Sequence, residues 1–301
     1  MTQCIDIPHA VALLKAGEVV AVPTETVYGL AGDAMNPLAI RRIYATKGRP
    51  AGHPVIVHLA ANTEWDQWGR FNDHARALAE AFWPGPLTLI LPRGERVLDE
   101  VTGCLPTVGL RVPNHPTAQA LLHAFGSGIA APSANRFGRI SPTEASHVTT
   151  EFEGAIPVLD GGPAIIGIES TIVDVSQTQP ALLRPGFIEK QAIEDVVGPL
   201  GTSNTLAPGT LKSHYSPMTS LLLSHDPERD KKRLEGEGKT VAVLHAQPPK
   251  QYAQNLYSTL RKMDAMGVDI LIAEPAPNTG LGLAINDRLT RAAVDFSTDS
   301  N

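Results

Sequence analysis

Short β-branched runs alternate with helix-like stretches from one end of this chain to the other. Glu18–Val22 and Pro54–Leu59 have the composition of strands. Asn36 and Pro37 form an N-cap and first-turn pair, which predicts a helix that runs through Tyr44. Because strands and helices follow one another repeatedly, the sequence predicts an α/β fold with a largely buried sheet.

The same signals predict the remaining elements of the first two-thirds of the chain. Helices are expected to begin at a capping Asp73 and at Thr117, Pro142 and Glu189. The predicted strands are Leu87–Leu91, Val108–Val112, Gly128–Ala131, Pro157–Leu159, Thr171–Val175 and Ala181–Leu183.

The length of 301 residues suggests two domains, at roughly 150 residues each. The periodic pattern ends near Gly198 and resumes at Ser220, with a stretch rich in proline and glycine between them. We therefore predict a first domain over residues 1–200, a linker over 201–219 and a small Rossmann-like βαβα domain over 220–301. No GxGxxG follows the first strand of the last domain, so a dinucleotide site is not indicated there.

Composition limits the partners of the chain. It is 43% hydrophobic and 19% charged, which is enough apolar content for a sizeable core. The net charge of −6 argues against a protein that coats nucleic acid or an anionic membrane through bulk charge. A local basic pocket is still compatible with this charge.

Cysteine content and the N-terminal sequence predict the compartment. Cys4 and Cys104 form no CxxC motif, which excludes a disulfide framework and a Cys-rich zinc site. The N-terminus has no charged region followed by an apolar run, and no apolar stretch reaches the ~18 residues of a transmembrane helix. These features predict a cytoplasmic protein without a membrane partner.

Two strings near the N-terminus place polar side chains beside predicted element ends. VPTETVYGL brings Thr26 close to a strand end, where α/β sheets bind ligands, although an ordinary polar turn has the same composition. YATKGRP places Lys47 and Arg49 around a glycine, where two cations can hold a polyphosphate or simply offset a helix dipole. His58 ends the next strand, and a lone histidine is more often structural than functional.

Arg111 lies inside a run that the pattern predicts to be a buried strand. A buried guanidinium group is costly without an anionic partner. Arg111 therefore either pairs with a core carboxylate or binds the carboxylate of a ligand in a bidentate manner.

Two later strings have a similar character. IAAPSANRFGRISPTEA ends a small-residue strand in Ser133 and Asn135, which point to the same side of an extended segment. Small residues there allow a ligand to approach the backbone, and a plain turn is the alternative. GIESTIVDV and ALLRPG place Ser170 at the start of one strand and Arg184 at the end of the next.

Together, the strings PTETVYGL, KGRP, RVPNHP, PSAN with SPT, ESTIVD and LLRPG resemble the YrdC-type threonylcarbamoyl-AMP synthases over about residues 5–200. The pairs Lys47/Arg49 and Ser133/Asn135 match that family's signature. The linker APGTLKSHYSP and the tail resemble the longer, two-domain branch of the family. The resemblance implies an open twisted α/β sheet around a concave, basic cavity.

The resemblance also implies an activity and its partners. Such enzymes join L-threonine, bicarbonate and ATP into threonylcarbamoyl-adenylate and release pyrophosphate. The product feeds the downstream tRNA threonylcarbamoyl-transfer machinery, which modifies an adenosine next to the anticodon. A direct contact with tRNA is compatible with this role.

By resemblance, threonine would be held by Thr26, His58, Arg111, Ser133 and Ser170, with Arg111 on its carboxylate. ATP would be held by Lys47, Arg49, His53, Thr107, Asn135, Ser141, Thr143, Arg184 and Tyr215. Lys47 and Arg49 are the expected catalytic residues, because two anions must be brought together. No acidic cluster suggests a metal cage, so Mg²⁺ is expected to arrive with ATP.

His53 departs from the family pattern, since many relatives have Asn-Pro-Leu where this chain has His-Pro-Val. A neutral imidazole does not replace both the donor and the acceptor of an amide at one contact. The sequence assigns no general base, and Glu25 is either a helper or a structural carboxylate.

The predicted linker carries Lys212, His214 and Tyr215 in an otherwise inert tether. We expect these residues to fold back over the ATP site as a lid that limits hydrolysis of a labile adenylate. A passive spacer is the alternative.

Two other functions compete with this interpretation. An RNA-binding or regulatory module could use the same basic cavity, although the negative net charge and a hydroxyl-lined amino-acid pocket argue against it. A hydrogenase-maturation carbamoyltransferase would share the domain, but such proteins carry Cys-rich zinc segments and an acylphosphatase-like portion, which this sequence lacks.

Overall fold

The strands form two separate sheets in a computed structural model that describes residues 4–50, 52–209 and 214–293. The strands of the first sheet are Cys4–Ile5 (β1), Val20–Val22 (β2), Gly29–Asp33 (β3), Ile56–His58 (β4), Leu87–Pro92 (β5), Thr107–Arg111 (β6), Ile129–Ala130 (β7), Val158–Leu159 (β8), Thr171–Asp174 (β9) and Ala181–Arg184 (β10). Their order across the sheet is β1–β8–β2–β3–β7–β4–β6–β5–β9–β10. This large sheet confirms the predicted α/β class.

One face of this sheet carries His58 and Arg111, and we call it the site face. β4 lies parallel to β6, and the register places Ile56 beside Gly109 and His58 beside Arg111. Residues opposite one another in a ladder share a face, so His58 and Arg111 point the same way. The antiparallel β5–β6 pair places Ile90 opposite Gly109, which extends the face across β5.

Helices cover both sides of the sheet. They are Ile7–Lys15 (α1), Pro37–Lys47 (α2), Asp73–Phe82 (α3), Asp99–Thr102 (α4), Pro116–Phe125 (α5), Ala145–Glu151 (α6) and Lys190–Val197 (α7). Leu87, Leu89 and Leu91 of β5 pack with Leu78 of α3 and Ile193 of α7, on the side away from the site face. On the other side, α1 and α5 pack against β2.

Two helix starts test the predicted caps. Asn36 caps α2, and its side chain accepts a hydrogen bond from the main-chain N of Leu38 at 2.9 Å, as predicted. The cap of α3 is Asn72 rather than the predicted Asp73, because the Asn72 side chain accepts from the main-chain N of Ala75 at 2.9 Å. Asp73 is instead the first helical residue, where its charge suits the helix dipole.

The sequence patterns do not predict β3, because Gly-Leu-Ala-Gly-Asp has no β-branched residue. Pairing with β2 and β7 forms it nevertheless. A Cβ at Gly29 would lie 3.1 Å from the Cβ of Ala131, so the close approach of two backbones favours glycine there.

The second sheet contains Ser220–Leu223 (β11), Val241–Leu244 (β12) and Ile270–Ala273 (β13), all parallel and in the order β11–β13–β12. Its helices are Pro227–Gly236 (α8), Pro249–Asp264 (α9) and Leu281–Ala292 (α10). The predicted parallel α/β unit is confirmed, but its strand order differs from a Rossmann half, in which the second strand is central. The connection from β11 to β12 skips one strand position, and β13 fills that space.

The two sheet units pack directly against each other. One apolar cluster joins Tyr257 and Leu260 of α9 to residues that precede the second sheet, namely Val27, Ile140, Ile166, Ile168 and Tyr215. In the described part of the chain, no helix is both long and apolar enough to span a membrane.

Candidate active site

A cavity of about 60 Å³ lies on the site face, beside the ends of β4, β6 and β10. Its wall comes from stretches that are far apart in the sequence. The residues named from the sequence that line it are Thr26, Arg49, His58, Arg111, Ser133, Ser170, Arg184, His214 and Tyr215. All of the residues predicted to bind threonine are in this set, and three of those predicted to bind ATP are in it too.

Arg111 is held in the wall by three contacts with other residues. Its Nη2 forms an ion pair with Oε1 of Glu25 at 2.6 Å, and both side chains are buried. Its Nη1 donates to Oγ1 of Thr26 at 2.8 Å, and its Nε donates to the carbonyl of Gly85 at 3.3 Å. The core carboxylate that was one of the two predicted partners of Arg111 is therefore present. It belongs to Glu25, which is a structural partner of Arg111. The guanidinium group has more N–H groups than these three contacts use, so it can also meet a ligand.

His58 contributes a neutral ring to the cavity. Burial, with a smaller contribution from the charge of Arg111, lowers the pKa of His58 to about 3. The imidazole is therefore uncharged near neutral pH. It can accept or donate a hydrogen bond there without adding a positive charge.

We expect His58 to make the fold sensitive to acid. Its pKa is about 3 in the folded protein against 6.5 for the free group, so the unfolded chain binds this proton first as the pH falls. The unfolding free energy should then decrease by about 1.4 kcal/mol per pH unit between these two pKa values.

Urea denaturation of the wild type and of His58→Gln, from roughly pH 7 down to roughly pH 4, checks this expectation. The stability of the wild type should fall more steeply than that of the variant. Parallel pH profiles would contradict it.

Arg49 and Arg184 add two buried guanidinium groups to the wall. Nη2 of Arg49 donates to the carbonyl of Pro54 at 2.9 Å. Nε and Nη2 of Arg184 donate to the carbonyl of Ser170 at 3.1 and 2.9 Å. Among the residues that the structure describes, only neutral oxygens accept hydrogen bonds from these two arginines. Within the described residues, neither arginine forms a direct ion pair with a carboxylate, so both charges are available to an anionic ligand.

Lys47 lies behind the cavity rather than in its wall. Its Nζ donates to the main-chain oxygens of Ser133 at 2.5 Å and Asn135 at 2.6 Å. Burial, and then the nearby charge of Arg49, lowers the pKa of Lys47 well below its usual value. The side chain therefore fastens the Ser133 loop to the end of α2. Contact with the triphosphate stays a prediction.

Asn135, Ser141 and Thr143 are buried close to the cavity but do not line it. Nδ2 of Asn135 donates to two main-chain carbonyls of its own loop, at 2.7 and 2.9 Å. Oγ of Ser141 donates to Glu169 at 2.6 Å. These side chains shape the loops around the cavity, and their predicted contacts with ATP are not tested by this geometry.

His53 and Thr107 lie at the margin of the site. The ring of His53 meets Phe137 edge-on with centroids 5.8 Å apart, and Phe137 in turn meets the ring of His214 at 6.2 Å. Thr107 begins β6 and shares the face of Arg111 by strand alternation. Neither residue lines the cavity.

The predicted linker lies across the site face. Asp174 of β9 accepts hydrogen bonds from the hydroxyl groups of Ser203 and Thr205, both at 2.6 Å. Nη1 of Arg184 donates to the carbonyl of Pro208 at 3.0 Å. Ser203, Thr205 and Pro208 thus attach this part of the linker to the sheet.

His214 and Tyr215, two of the residues predicted to form a lid, line the cavity. The centroids of their rings lie 4.1 Å apart, and Tyr215 is buried. Burial, followed by the charge of Arg49, lowers the pKa of His214 well below its usual value, so the ring is neutral. Lys212, the third predicted lid residue, lies outside the described residues. Movement of the lid stays a prediction.

Two charged residues were not predicted from the sequence: Glu169 in the cavity wall and its ion-pair partner Arg288. Glu169 lines the cavity next to Ser170. The sequence feature that could have identified it is its position just before a predicted strand. Arg288 lies on the buried face of α10 with Leu281, Ile285 and Ala292. A charge on an apolar helix face is costly without a partner, and this pattern was readable from the sequence.

The described residues contain no group of three or more His, Cys, Asp or Glu side chains that could hold a metal ion. Glu169 is the carboxylate in the cavity wall, and three protein donors already occupy its oxygens. The protein part of the site therefore does not fit a metal cage.

Two family models match the chain. One, Sua5_yciO_yrdC, described as telomere recombination, matches residues 12–186. The other, described as the C-terminal domain of threonylcarbamoyl-AMP synthase, matches residues 188–294.

Full-length relatives and solved structures agree with these matches. The threonylcarbamoyl-AMP synthase of Bacillus subtilis is 41% identical over 95% of this chain and 92% of its own length. That of Pyrococcus abyssi is 39% identical over 94% and 93%. A structure of P. abyssi Sua5 complexed with L-threonine has a TM-score of 0.89 at 38% identity and covers 95% of this chain and 94% of that chain.

A double alanine variant of P. abyssi Sua5 has a TM-score of 0.90 at 36% identity, over 97% of this chain and 96% of that chain. These findings confirm the resemblance seen in the sequence motifs. The chain belongs to the Sua5/YciO/YrdC family, in the two-domain Sua5 branch of the threonylcarbamoyl-AMP synthases.

Proposed function

We propose that the cavity holds L-threonine and ATP side by side, and that the protein joins them with bicarbonate-derived carbon into L-threonylcarbamoyladenylate. One observation carries the assignment of this activity to this cavity. The five predicted threonine residues meet there with Arg49 and Arg184, two buried cations whose hydrogen-bond acceptors are all neutral oxygens among the described residues.

The reaction has two bond-forming steps. The amine of threonine adds to the carbon of bicarbonate, water leaves, and a carbamate forms. An oxygen of the carbamate then attacks the α-phosphorus of ATP while the bond to pyrophosphate breaks. Both reactants of the second step are anions, so positive side chains must offset their repulsion and hold them in line.

The threonine end of the cavity would be the Arg111 end. The carboxylate of threonine would accept hydrogen bonds from Arg111. It would use the N–H groups that do not already contact Glu25, Thr26 or Gly85. Because the pair with Glu25 fixes the guanidinium group, little reorganisation is needed when the ligand binds. Neutral His58 and the hydroxyl group of Ser133 would then meet the amine and hydroxyl of threonine.

The phosphate end would be formed by Arg49 and Arg184. The site face also carries an apolar patch of Ile56, Ile90 and Ile172, on which Ala207 of the linker packs. A flat apolar patch next to two cations suits an adenine ring and its phosphates. Binding of the base would then displace this part of the linker.

Mg²⁺ would enter with ATP, held by phosphate oxygens and water molecules. Glu169 is not free to coordinate the ion, since Ser141, Tyr257 and Arg288 donate hydrogen bonds to its carboxylate oxygens. The ion would supply charge neutralisation at the phosphates, and the protein residues would orient the nucleotide.

The adenylate product is a reactive mixed anhydride. It would pass to the downstream tRNA threonylcarbamoyl-transfer machinery, which places the threonylcarbamoyl group on an adenosine. The closed arrangement of the linker suits a labile product, because exclusion of water limits its hydrolysis.

The linker must move for ATP to enter. A cavity of about 60 Å³ has room for only a few water molecules. Tyr215 lies in its wall with the ring stacked on Tyr257 at a centroid distance of 5.7 Å. We therefore place the gate of the site at Tyr215.

Tyr215→Ala is expected to lower the amount of adenylate formed per pyrophosphate released, because water reaches the adenylate through the opened wall. The ratio of labelled adenylate to pyrophosphate measures this coupling. Met218→Ala is the matched control, since Met218 is an exposed linker residue. Unchanged coupling together with unchanged ATP affinity in Tyr215→Ala would rule out the lid.

Pyrophosphate release tests the proposed activity itself. The purified protein is incubated with ATP, Mg²⁺ and bicarbonate, and one amino acid is added at a time. We expect release that needs both threonine and bicarbonate. Release without an amino acid, or salt-dependent RNA binding with no release at all, would count against the assignment and favour the RNA-binding alternative.

A further inference from the structure

Arg288 is a fully buried arginine where the C-terminal unit meets the cavity; its exposed fraction is 0%. Its Nε donates to Oε2 of Glu169 at 3.0 Å. Its Nη1 donates to the carbonyl of Pro185 and to Asp287, both at 2.8 Å. One side chain of α10 thus reaches the cavity carboxylate and the residue that follows Arg184.

Glu169 is held by donors from both units. Oε1 accepts from Ser141 at 2.6 Å, and Oε2 accepts from the hydroxyl of Tyr257 at 2.8 Å as well as from Arg288. Burial alone would raise the pKa of Glu169, but Arg288, Arg184 and Ser141 together hold it below its usual value. Glu169 is therefore a buried carboxylate that needs a cation.

Arg184 is the other cation that stabilises Glu169. Its Nε and Nη2 already donate to the carbonyl of Ser170, the next residue along the chain. If Arg288 were absent, Glu169 would be left with Arg184 as its cationic partner, because an uncompensated buried charge is strongly unfavourable. A carboxylate on Arg184 would compete directly with the phosphates of ATP.

We propose that Arg288 is a positioning residue for the reaction: it neutralises Glu169 from the C-terminal unit and so keeps Arg184 available for the phosphates of ATP. The inference rests on the proposed function, because it requires ATP to bind at Arg184. Through Arg288, the C-terminal unit would then contribute to ATP binding at the cavity of the first unit.

A second contact ties Arg288 to the lid. Its guanidinium carbon lies 5.5 Å from the centroid of the Tyr215 ring, which is stacked on Tyr257. A cation over an aromatic face is attractive, and more so when water is excluded. Arg288 and Tyr257 therefore support the carboxylate and the lid from the same side.

A double-mutant cycle of charge-neutralising substitutions tests the proposal. Arg288→Met should raise the KM for ATP at least about tenfold, the usual scale for truncating one partner of a buried charge pair, and leave the KM for threonine nearly unchanged. Adding Glu169→Gln to Arg288→Met should restore most of the ATP affinity, because no carboxylate remains to occupy Arg184. A contact that only holds the two units together predicts no rescue in the double variant.

Arg261→Met is the matched control. Arg261 of α9 also forms an ion pair across the two units, with Glu151 at 2.9 Å, and this pair is partly buried and does not line the cavity. We expect this variant to lower the unfolding temperature without raising the KM for ATP. An equal rise in Arg261→Met and Arg288→Met would overturn the proposal, because general loosening of the interface would explain both.

Two measurements guard against a folding failure and against confusion with the proposed function. Arg288→Lys keeps the positive charge and should retain ATP affinity better than Arg288→Met, even if the latter is unstable. Calorimetric titration of ATP into the wild type comes first. No ATP binding there would refute the proposed function, whereas equal ATP binding in the wild type and folded Arg288→Met would refute this inference alone.

Discussion

Replacement of Arg49 by alanine is expected to lower kcat/KM for ATP by about 10²-fold or more, the usual cost of losing one charge-stabilising donor. Arg49 is buried in the cavity wall, and only carbonyl oxygens accept its hydrogen bonds among the described residues. No described carboxylate pairs with its charge, which is why we expect the charge to act on a ligand. Initial rates of pyrophosphate release at saturating threonine and bicarbonate measure the loss.

Arg136→Ala controls for a general loss of positive charge. Arg136 is an exposed arginine on the loop after Ser133 and does not line the cavity. We expect it to retain nearly full activity. A folded Arg49→Ala protein with unchanged kcat/KM would remove Arg49 from the phosphate site.

Lys47→Ala is also expected to lower activity by about 10²-fold, but by a different route from Arg49→Ala. The main-chain oxygens of Ser133 and Asn135 lose their donor, so the loop should loosen and the unfolding temperature should fall as well. Loss of activity with no change in unfolding temperature would instead favour a direct contact between Lys47 and the triphosphate.

Removal of Arg111 is expected to weaken threonine far more than ATP. Arg111 lines the same cavity as Thr26 and His58, and its guanidinium group has N–H groups left for a ligand. Arg111→Met alone would leave the buried carboxylate of Glu25 unpaired, at a cost of roughly 3–5 kcal/mol in stability. The informative protein is therefore Arg111→Met/Glu25→Gln, which removes both charges together.

In that double variant, we expect the KM for threonine to rise by about 10²-fold and the KM for ATP to change little. Glu25→Gln alone serves as the control, because it keeps the guanidinium group and should keep most of the threonine affinity. Steady-state kinetics with each substrate varied in turn separates the two effects. Equal losses for both substrates would show that Arg111 does not distinguish them.

Local signals in the sequence predicted much of the fold. Asn36 and Pro37 placed the start of α2, since a capping side chain and a proline act within one turn. Arg111 was informative because a charge inside a predicted buried strand requires a partner. The structure places Arg111 in the cavity wall. β3 was missed because pairing with its neighbours, rather than its own composition, makes it a strand.

The parts of the site that were not predicted depend on contacts between distant residues. Lys47 is the last residue of α2, a position from which a lysine can reach a ligand. Its Nζ instead donates hydrogen bonds to the carbonyls of Ser133 and Asn135, which lie more than 80 residues away in sequence. Glu169 and Arg288 are 119 residues apart and belong to different sheet units. No motif or periodicity within one element encodes such a pair.

A structure of the full chain with L-threonine and a non-hydrolysable ATP analogue bound together tests the central claim most directly. We predict the threonine carboxylate on Arg111, the phosphates on Arg49 and Arg184, and space for one carboxyl group between the threonine amine and the α-phosphorus. Ligands in separate cavities, or cationic side chains that keep only their protein partners while both ligands bind elsewhere, would contradict it.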